Sequence, residues 1–334
     1  MKKETQVRPL NVALRRGSSA ERAFHRRTGH PLSEVIAPGL KPSPAHDLIF
    51  HGGKTIADLH FMNFYVGSDV WAANDTSNID ERLSAAMSYA NLNNVMEQYF
   101  PGSVSSIFDG SEKLDGPAPA LVSRGDLESL ITQLASEGKF AGHDLTSMVF
   151  NFLLPKGTVL NDDASATAVL KSDIAAAPHS SIPDDDEADS LHGLGGYHGS
   201  VHDKSGTIYY AVGVYSELRE DGTQNGIPFF DMPWKNIVAT FYHELNEART
   251  DSDVEDAIRA GNDPNATQFL GWTSSQGEEC GDFPVFEAGT DLSKVFQEVP
   301  LAPGASTVPV QFQYSNNVHG PEGPRTTPAT KSPR

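Results

Sequence analysis

The chain has 334 residues, enough for one large domain or two small ones with a sizeable core, and 38 % of them are hydrophobic. Its 25 basic and 44 acidic residues give a formal charge of −19, which excludes nucleic acid and anionic membranes as partners held by the general field. A single cysteine, Cys280, excludes an intrachain disulfide framework and reads as a buried thiol.

Residues 1–45 stand apart in composition. Met1–His30 carries eight Lys/Arg against two Glu, opposite in sign to the rest, and "PGLKPSP" follows. This predicts an unordered basic arm with one short helix over Ser19–Arg27. The opening "MKKETQVRPLNVALRRG" has charge but no apolar run, so no signal peptide is visible. No segment approaches the ~20 apolar residues of a membrane span. The chain reads as soluble, and cytoplasmic by default.

The folded part is predicted over residues 46–315 as one domain. "DLHFMNFYVG" (58–67) has the apolar and aromatic content of a buried strand. Residues 78–100 place Leu83, Met87, Leu92, Val95, Met96 and Tyr99 mostly at helical spacing. A weak strand follows over 103–112. A helix capped by Ser123 runs over 123–140, and a buried strand over 146–158. Strand and helix alternate, so the fold class is α/β, a layered domain. Residues 161–190 read as an acidic, solvated insert, whose "PDDDEADS" lacks the ligand spacing and turn glycine of an EF-hand. "GLGGYHGSVHDKSGTIYYAVGVYSE" (193–217) reads as a glycine-rich turn followed by a strand. A helix starts near Pro233 and runs through "WKNIVATFYHELNEART". The glycine-rich, acidic "GWTSSQGEECGDFP" comes after it, and the tail 316–334 reads as unordered.

The chemistry sits in that last helix. "HELNE" is His-Glu-x-x-Glu, one residue type away from the zinc-peptidase signature His-Glu-x-x-His. Residues four apart share a helix face, so His243 and Glu247 point the same way and Asp251 continues the row. An imidazole and a carboxylate at this spacing suit one zinc ion, and also manganese or iron. Glu244, ~100° around the helix, is placed to act on a metal-bound water as general base. A third ligand must come from elsewhere. "GEECGD" offers Glu279 or Asp282, one as ligand and the other holding His243 by its second ring nitrogen. "GYHGSVH" offers His198, as a ligand or as a stabiliser of oxyanion charge. The bland alternative is a charged helix face that is merely solvated. Arg249 points away from the His243–Glu247 face and leaves that pair uncompensated.

"HELNEARTD" followed by "GWTSSQGEECGD" resembles the His-Glu-Leu-x-Glu-x-x-Thr-Asp/Asn and Trp…Glu-Ile-Gly-Asp pattern of the EXORDIUM-like, phosphate-induced proteins and their bacterial relatives. "LHFMNFYVGSDVW", "MVFNFLLPKG" and "GYHGSVHDKSGTIYYAVG" are similar to three further segments of that family, in the same order, over roughly residues 48–285. The resemblance implies a zincin-like fold, a mixed sheet with an active-site helix. It implies His243 and Glu247 as metal positions with Glu279 or Asp282 returning to them, and an extracellular location. Cys280 departs from the family, standing where an aliphatic residue is usual. The expectation is a zinc-dependent hydrolase, a metallopeptidase acting on a peptide or protein. One zinc is held by His243, Glu247 and Glu279, Glu244 is the base, His198 assists the oxyanion, and Asp282 supports or exchanges with Glu279. The alternative is a catalytically silent binding module on the same scaffold, with a structural metal or none.

Overall fold

The structure is a computed structural model that describes residues 12–15, 40–162, 169–170, 189–219, 221–261, 263–302, 304 and 306–334. The expected helix over Ser19–Arg27 and most of the 161–190 insert lie outside the described residues. Its centre is a six-stranded mixed sheet. The strands are β1 (Val12–Leu14), β2 (Asp58–Val66), β3 (Ser105–Leu114), β4 (Met148–Leu153), β5 (Leu194–Asp203) and β6 (Gly206–Gly213). They lie side by side as β1-β5-β6-β4-β2-β3. β6, β4, β2 and β3 are parallel to one another, and β5 runs antiparallel to both β6 and β1. β4, "MVFNFL", is buried at every position, as a continuous apolar run in a parallel sheet must be when both faces are covered.

Six helices are described: α1 (Ala73–Ser88), α2 (Ala90–Met96), α3 (Arg124–Ser136), α4 (Pro233–Thr250), α5 (Val254–Ala260) and α6 (Asp282–Ala288). α3 covers one face of the sheet, where Leu127 and Ile131 meet Phe64, Phe150 and Phe152. α1 and α4 cover the other, where Leu83, Ile237 and Phe241 meet Phe61, Tyr65 and Val149. Each such side chain, fully buried, contributes about 1.5–3 kcal/mol. A hairpin of β7 (Phe296–Pro300) and β8 (Thr307–Gln311) packs along α4 from outside the sheet. No helix among the described residues is long and apolar enough to cross a membrane.

The predicted alternation of the first half is what the molecule adopts, with local differences. Ser123 does cap α3, in a reciprocal box with Asp126. The helix expected over 78–100 starts earlier, at Ala73, and breaks at Tyr89, whose ψ of 113° is extended. The Asn93 side-chain amide donates to the Met87 carbonyl at 2.9 Å, satisfying one of the groups that the break exposes. In "GLGGYHG" only Gly193 turns, with φ 109°, and Leu194–Gly199 is the body of β5. Its glycines serve close packing. A Cβ at Gly196 would sit 2.4 Å from the Val212 carbonyl oxygen, and one at Gly199 would sit 2.1 Å from a carboxylate oxygen of Glu255.

The two expected unordered ends also differ. Val12–Leu14 is an edge strand of the main sheet. The tail borrows partners from the body, with the Arg325, Ala329 and Ser332 amides donating to the carbonyls of Asn91, Asn94 and Gln98. Its last residue, Arg334, lays its guanidinium 4.3 Å from the centre of the Phe50 ring.

Candidate metal centre

α4 begins with Pro233 in its first turn and is buried at every position from Asn236 to Thr250. A helix buried all round is normally apolar throughout. This one carries His243, Glu244, Glu247 and Arg249 inside. Arg249 is accounted for: its guanidinium donates to the carbonyls of Ala57 at 2.7 Å and Ser105 at 2.9 Å, away from the His243–Glu247 row.

The other three meet residues from two further elements. β5, directly over α4, brings His198. The turn before α6 brings Glu279, and the first residue of α6 is Asp282. His198, Glu244, Glu247 and Glu279 are each 0 % exposed, His243 is 1 % and Asp282 is 2 %, so water screens none of them. His243 Nε2 lies 3.1 Å from Glu247 Oε2 and 4.0 Å from Glu244 Oε1. His198 Nδ1 lies 3.5 Å from Glu244 Oε2 and 3.8 Å from Glu247 Oε2, and its Nε2 lies 3.5 Å from Glu279 Oε1. Donors bonded to one tetrahedral ion at ~2.0–2.2 Å stand roughly 3.2–3.6 Å apart, and these separations bracket that value.

Donor atoms of His198, Glu247 and Glu279 all lie within 4.8 Å of one another, and so do those of His243, Glu247 and Asp282. Glu247 belongs to both sets. The expected trio of His243, Glu247 and Glu279 is thus regrouped: Glu279 goes with His198, and Asp282 with His243. Nor does a carboxylate hold the second nitrogen of His243. That atom, Nδ1, meets Gln311 Oε1 at 2.8 Å, and the Gln311 amide donates to the Gly281 carbonyl at 2.6 Å. Asp282 instead accepts from the Glu279 amide at 3.0 Å. Gly281 donates to Glu247 Oε1 at 2.9 Å, and a Cβ there would sit 2.3 Å from His243 Nδ1. Sequence reasoning missed Gln311 and Gly281. "TVPVQFQ" reads as any alternating strand, and the glycine in "ECGD" reads as any turn.

The fit to a cation follows from what these atoms face. Both carboxylate oxygens of Glu244 and of Glu279, Glu247 Oε2 and His243 Nε2 are buried with no partner outside the cluster itself. A buried polar group in that state costs a few kcal/mol, and a buried unpaired charge costs more. Electrostatics show the same strain. Burial pushes the carboxyls of Glu244, Glu279 and Asp282 up, the last two well above the ordinary range, with Glu247's charge adding to it in all three. Burial pulls the imidazoles down, but the carboxylates outweigh it. His198 is raised, through Glu244 and Glu247, and His243 is pushed up to about 10, through Glu247 first. Asp251, one turn beyond Glu247, is also pushed up by burial, to about 8. A divalent cation among these groups removes the conflict, and the His and carboxylate donors suit one.

Cys280 is buried as expected, with Thr250 Oγ1 at 3.6 Å from its sulfur. No family model, curated protein or solved structure matches the chain.

Proposed function

We propose that this protein is a zinc-dependent hydrolase of the peptidase type on a zincin-like scaffold. Glu244 carries the reading. Neither set of three donors needs it, yet it reaches to 3.5 Å from His198 Nδ1, and neither of its oxygens has a partner outside the cluster. A carboxylate so placed is suited to move a proton rather than to brace the fold. His198, Glu247 and Glu279, or His243, Glu247 and Asp282, would hold the ion. Zinc in this site would supply Lewis acidity and bring the pKa of a water to ~7. Glu244 takes the proton of the attacking water at its Oε2 and returns it to the leaving amine. Burial raises the Glu244 carboxyl, which favours the first of these steps. The resemblance to EXORDIUM-like proteins over roughly residues 48–285 supports His243 and Glu247 as metal positions, with Glu279 or Asp282 returning to them.

Glu244→Gln is the test. It is expected to lower peptide turnover by about 100-fold or more while leaving the bound zinc in place. Full activity in Glu244→Gln, on a substrate that wild type cleaves, would exclude this mechanism.

One observation favours a second reading. All six side chains are enclosed, with no more than 2 % exposure. Enclosure suits a catalytically silent scaffold with a structural metal. In that case Glu244→Gln would lower metal content or thermal stability, and wild type would turn over no peptide.

A further inference from the structure

The enclosure has an identifiable source. β5 carries His198 and would be the edge of the main sheet if β1 were absent. Among the described residues β1 pairs with β5 over three positions, Val12 with Tyr197, Ala13 with Gly196 and Leu14 with Leu194, with a bulge between the last two. One further hydrogen bond runs from the Arg15 amide to the Gly193 carbonyl at 2.7 Å. β1 therefore covers the half of β5 that leads into His198. It also packs on α4 and α6, the helices that carry Glu244 and Asp282. Residues directly opposite in an antiparallel pair share a face. Ala13 accordingly lies on the face where a Cβ at Gly196 would meet Glu244 Oε1 at 3.1 Å. Beyond Arg15 there is a cleft of about 200 Å³, lined by Arg15, Ile227, Phe229, Asp291 and Leu292 among others.

We infer that the outer edge of β5 beside His198 binds an extended peptide, and that Val12–Arg15 of this same chain occupies it as an intramolecular inhibitor. This rests on the hydrolase reading for its purpose, and it names that reading's substrate class. An exposed strand edge offers unpaired main-chain donors and acceptors at a fixed spacing, and an extended polypeptide satisfies them whatever its side chains. Side-chain selection enters at one point. The residue opposite Gly196 must be small, because Ala13 is only 4 % exposed there and the Glu244 side lies next to it. The cleft past Arg15 then receives a larger side chain of the bound peptide. Arg15 itself donates from its guanidinium to Gln224. Pairing over these three residues is short enough to open locally without unfolding the sheet.

The probe is a fluorescein-labelled synthetic peptide of residues 10–17, "LNVALRRG", added to full-length protein. In wild type the edge is filled, so apparent affinity falls by the fraction of molecules with β1 released. Ala13→Asp puts a charge into a buried position facing carboxylates and should release β1. Arg15→Pro removes the Arg15 amide donor more gently, should the first variant not fold. Either variant is expected to bind the peptide at least about tenfold more tightly than wild type. Amide exchange at residues 193–197 should rise in the variant and fall again with peptide. The same peptide with Trp in place of Ala13 should not bind. Equal affinity in wild type and variant would overturn the inference. So would unchanged exchange at 193–197 in both variants. Neither readout needs metal or turnover. Loss of the hydrolase reading therefore leaves this result standing, and loss of this result leaves a metal-loaded, active protein unexplained only in its enclosure.

Discussion

Gln311 and Gly281 hold His243 in the orientation that a ligand needs, one by a hydrogen bond and the other by having no side chain. Gln311→Leu should leave the fold intact and weaken zinc binding by about 10–100-fold, as removal of an outer partner of a ligating histidine does. Competition with a chromophoric chelator reads this, and an unchanged affinity would show the contact to be incidental. Gly281→Ala is harsher, since its Cβ would sit 2.3 Å from His243 Nδ1 and must push the ring aside. The buried acids make pH a second handle. Asp251 has an ordinary value of 3.8 and a folded value of about 8, so folding favours its protonated form. That contribution is complete below 3.8 and is lost as pH rises through about 8. Glu244, Glu279 and Asp282 shift in the same direction, through burial first. His243 adds stability that is complete below 6.5 and lost as pH rises through about 10. In the absence of metal, all five groups weaken the fold as pH rises. Zinc needs deprotonated ligands, so the gain in melting temperature on adding it should grow over the same range. Thermal melts with chelator and with zinc at several pH values check this. A zinc-induced gain that is flat with pH would contradict it.

At the scale of elements, β5 is held in place from behind. Glu255 of α5 accepts from the Ser200 amide at 2.7 Å and pairs with Arg124 of α3 at 3.0 Å, occupying the space that a Cβ at Gly199 would need. Arg124 and Glu255 are both buried, so removing Glu255 strands Arg124, whereas Glu255 has a second partner in Arg259 at 3.3 Å. Glu255→Ala should cost about 3–5 kcal/mol in denaturant unfolding. It should also loosen the segment that carries His198. A cost near zero would mean that Arg124 finds another partner. This element also marks where sequence reading succeeds and where it stops. His243, Glu244 and Glu247 were legible because helical spacing alone sets their relation. His198 was singled out but placed in a turn, because glycine is locally ambiguous between turning and close packing. Glu255, which fills the space beside Gly199 and accepts from the Ser200 amide, lies 55 residues beyond Ser200 and leaves no mark near it. Gln311 was illegible for the same reason: a hairpin 68 residues beyond His243 delivers it. Helix ends were off by several residues. The break at Tyr89 depends on Asn93 reaching back to Met87, which periodicity does not record.

Across the whole molecule, three layers are stacked, α3, the sheet, and α1 with α4, and the cluster lies between β5 and α4, closed by residues 279–282 and Gln311. The alternating pattern of the first half was enough to read that layering, since each element needs an apolar face and the faces match in order. The two ends were not readable. Their composition is that of unordered chain, and their partners lie on the body. A molecule of charge −19 that buries Glu244, Glu247, Glu279 and Asp282 around two imidazoles gains little from solvent or from surface lysines at that depth. The cation is the central claim, and elemental analysis of purified, tag-free wild type beside His243→Ala tests it most directly. About one zinc ion per chain in wild type, lost in the variant, is the result expected from the ligand chemistry. Metal-free wild type with no thermal shift on adding zinc would contradict it and leave "HELNE" as a structural helix.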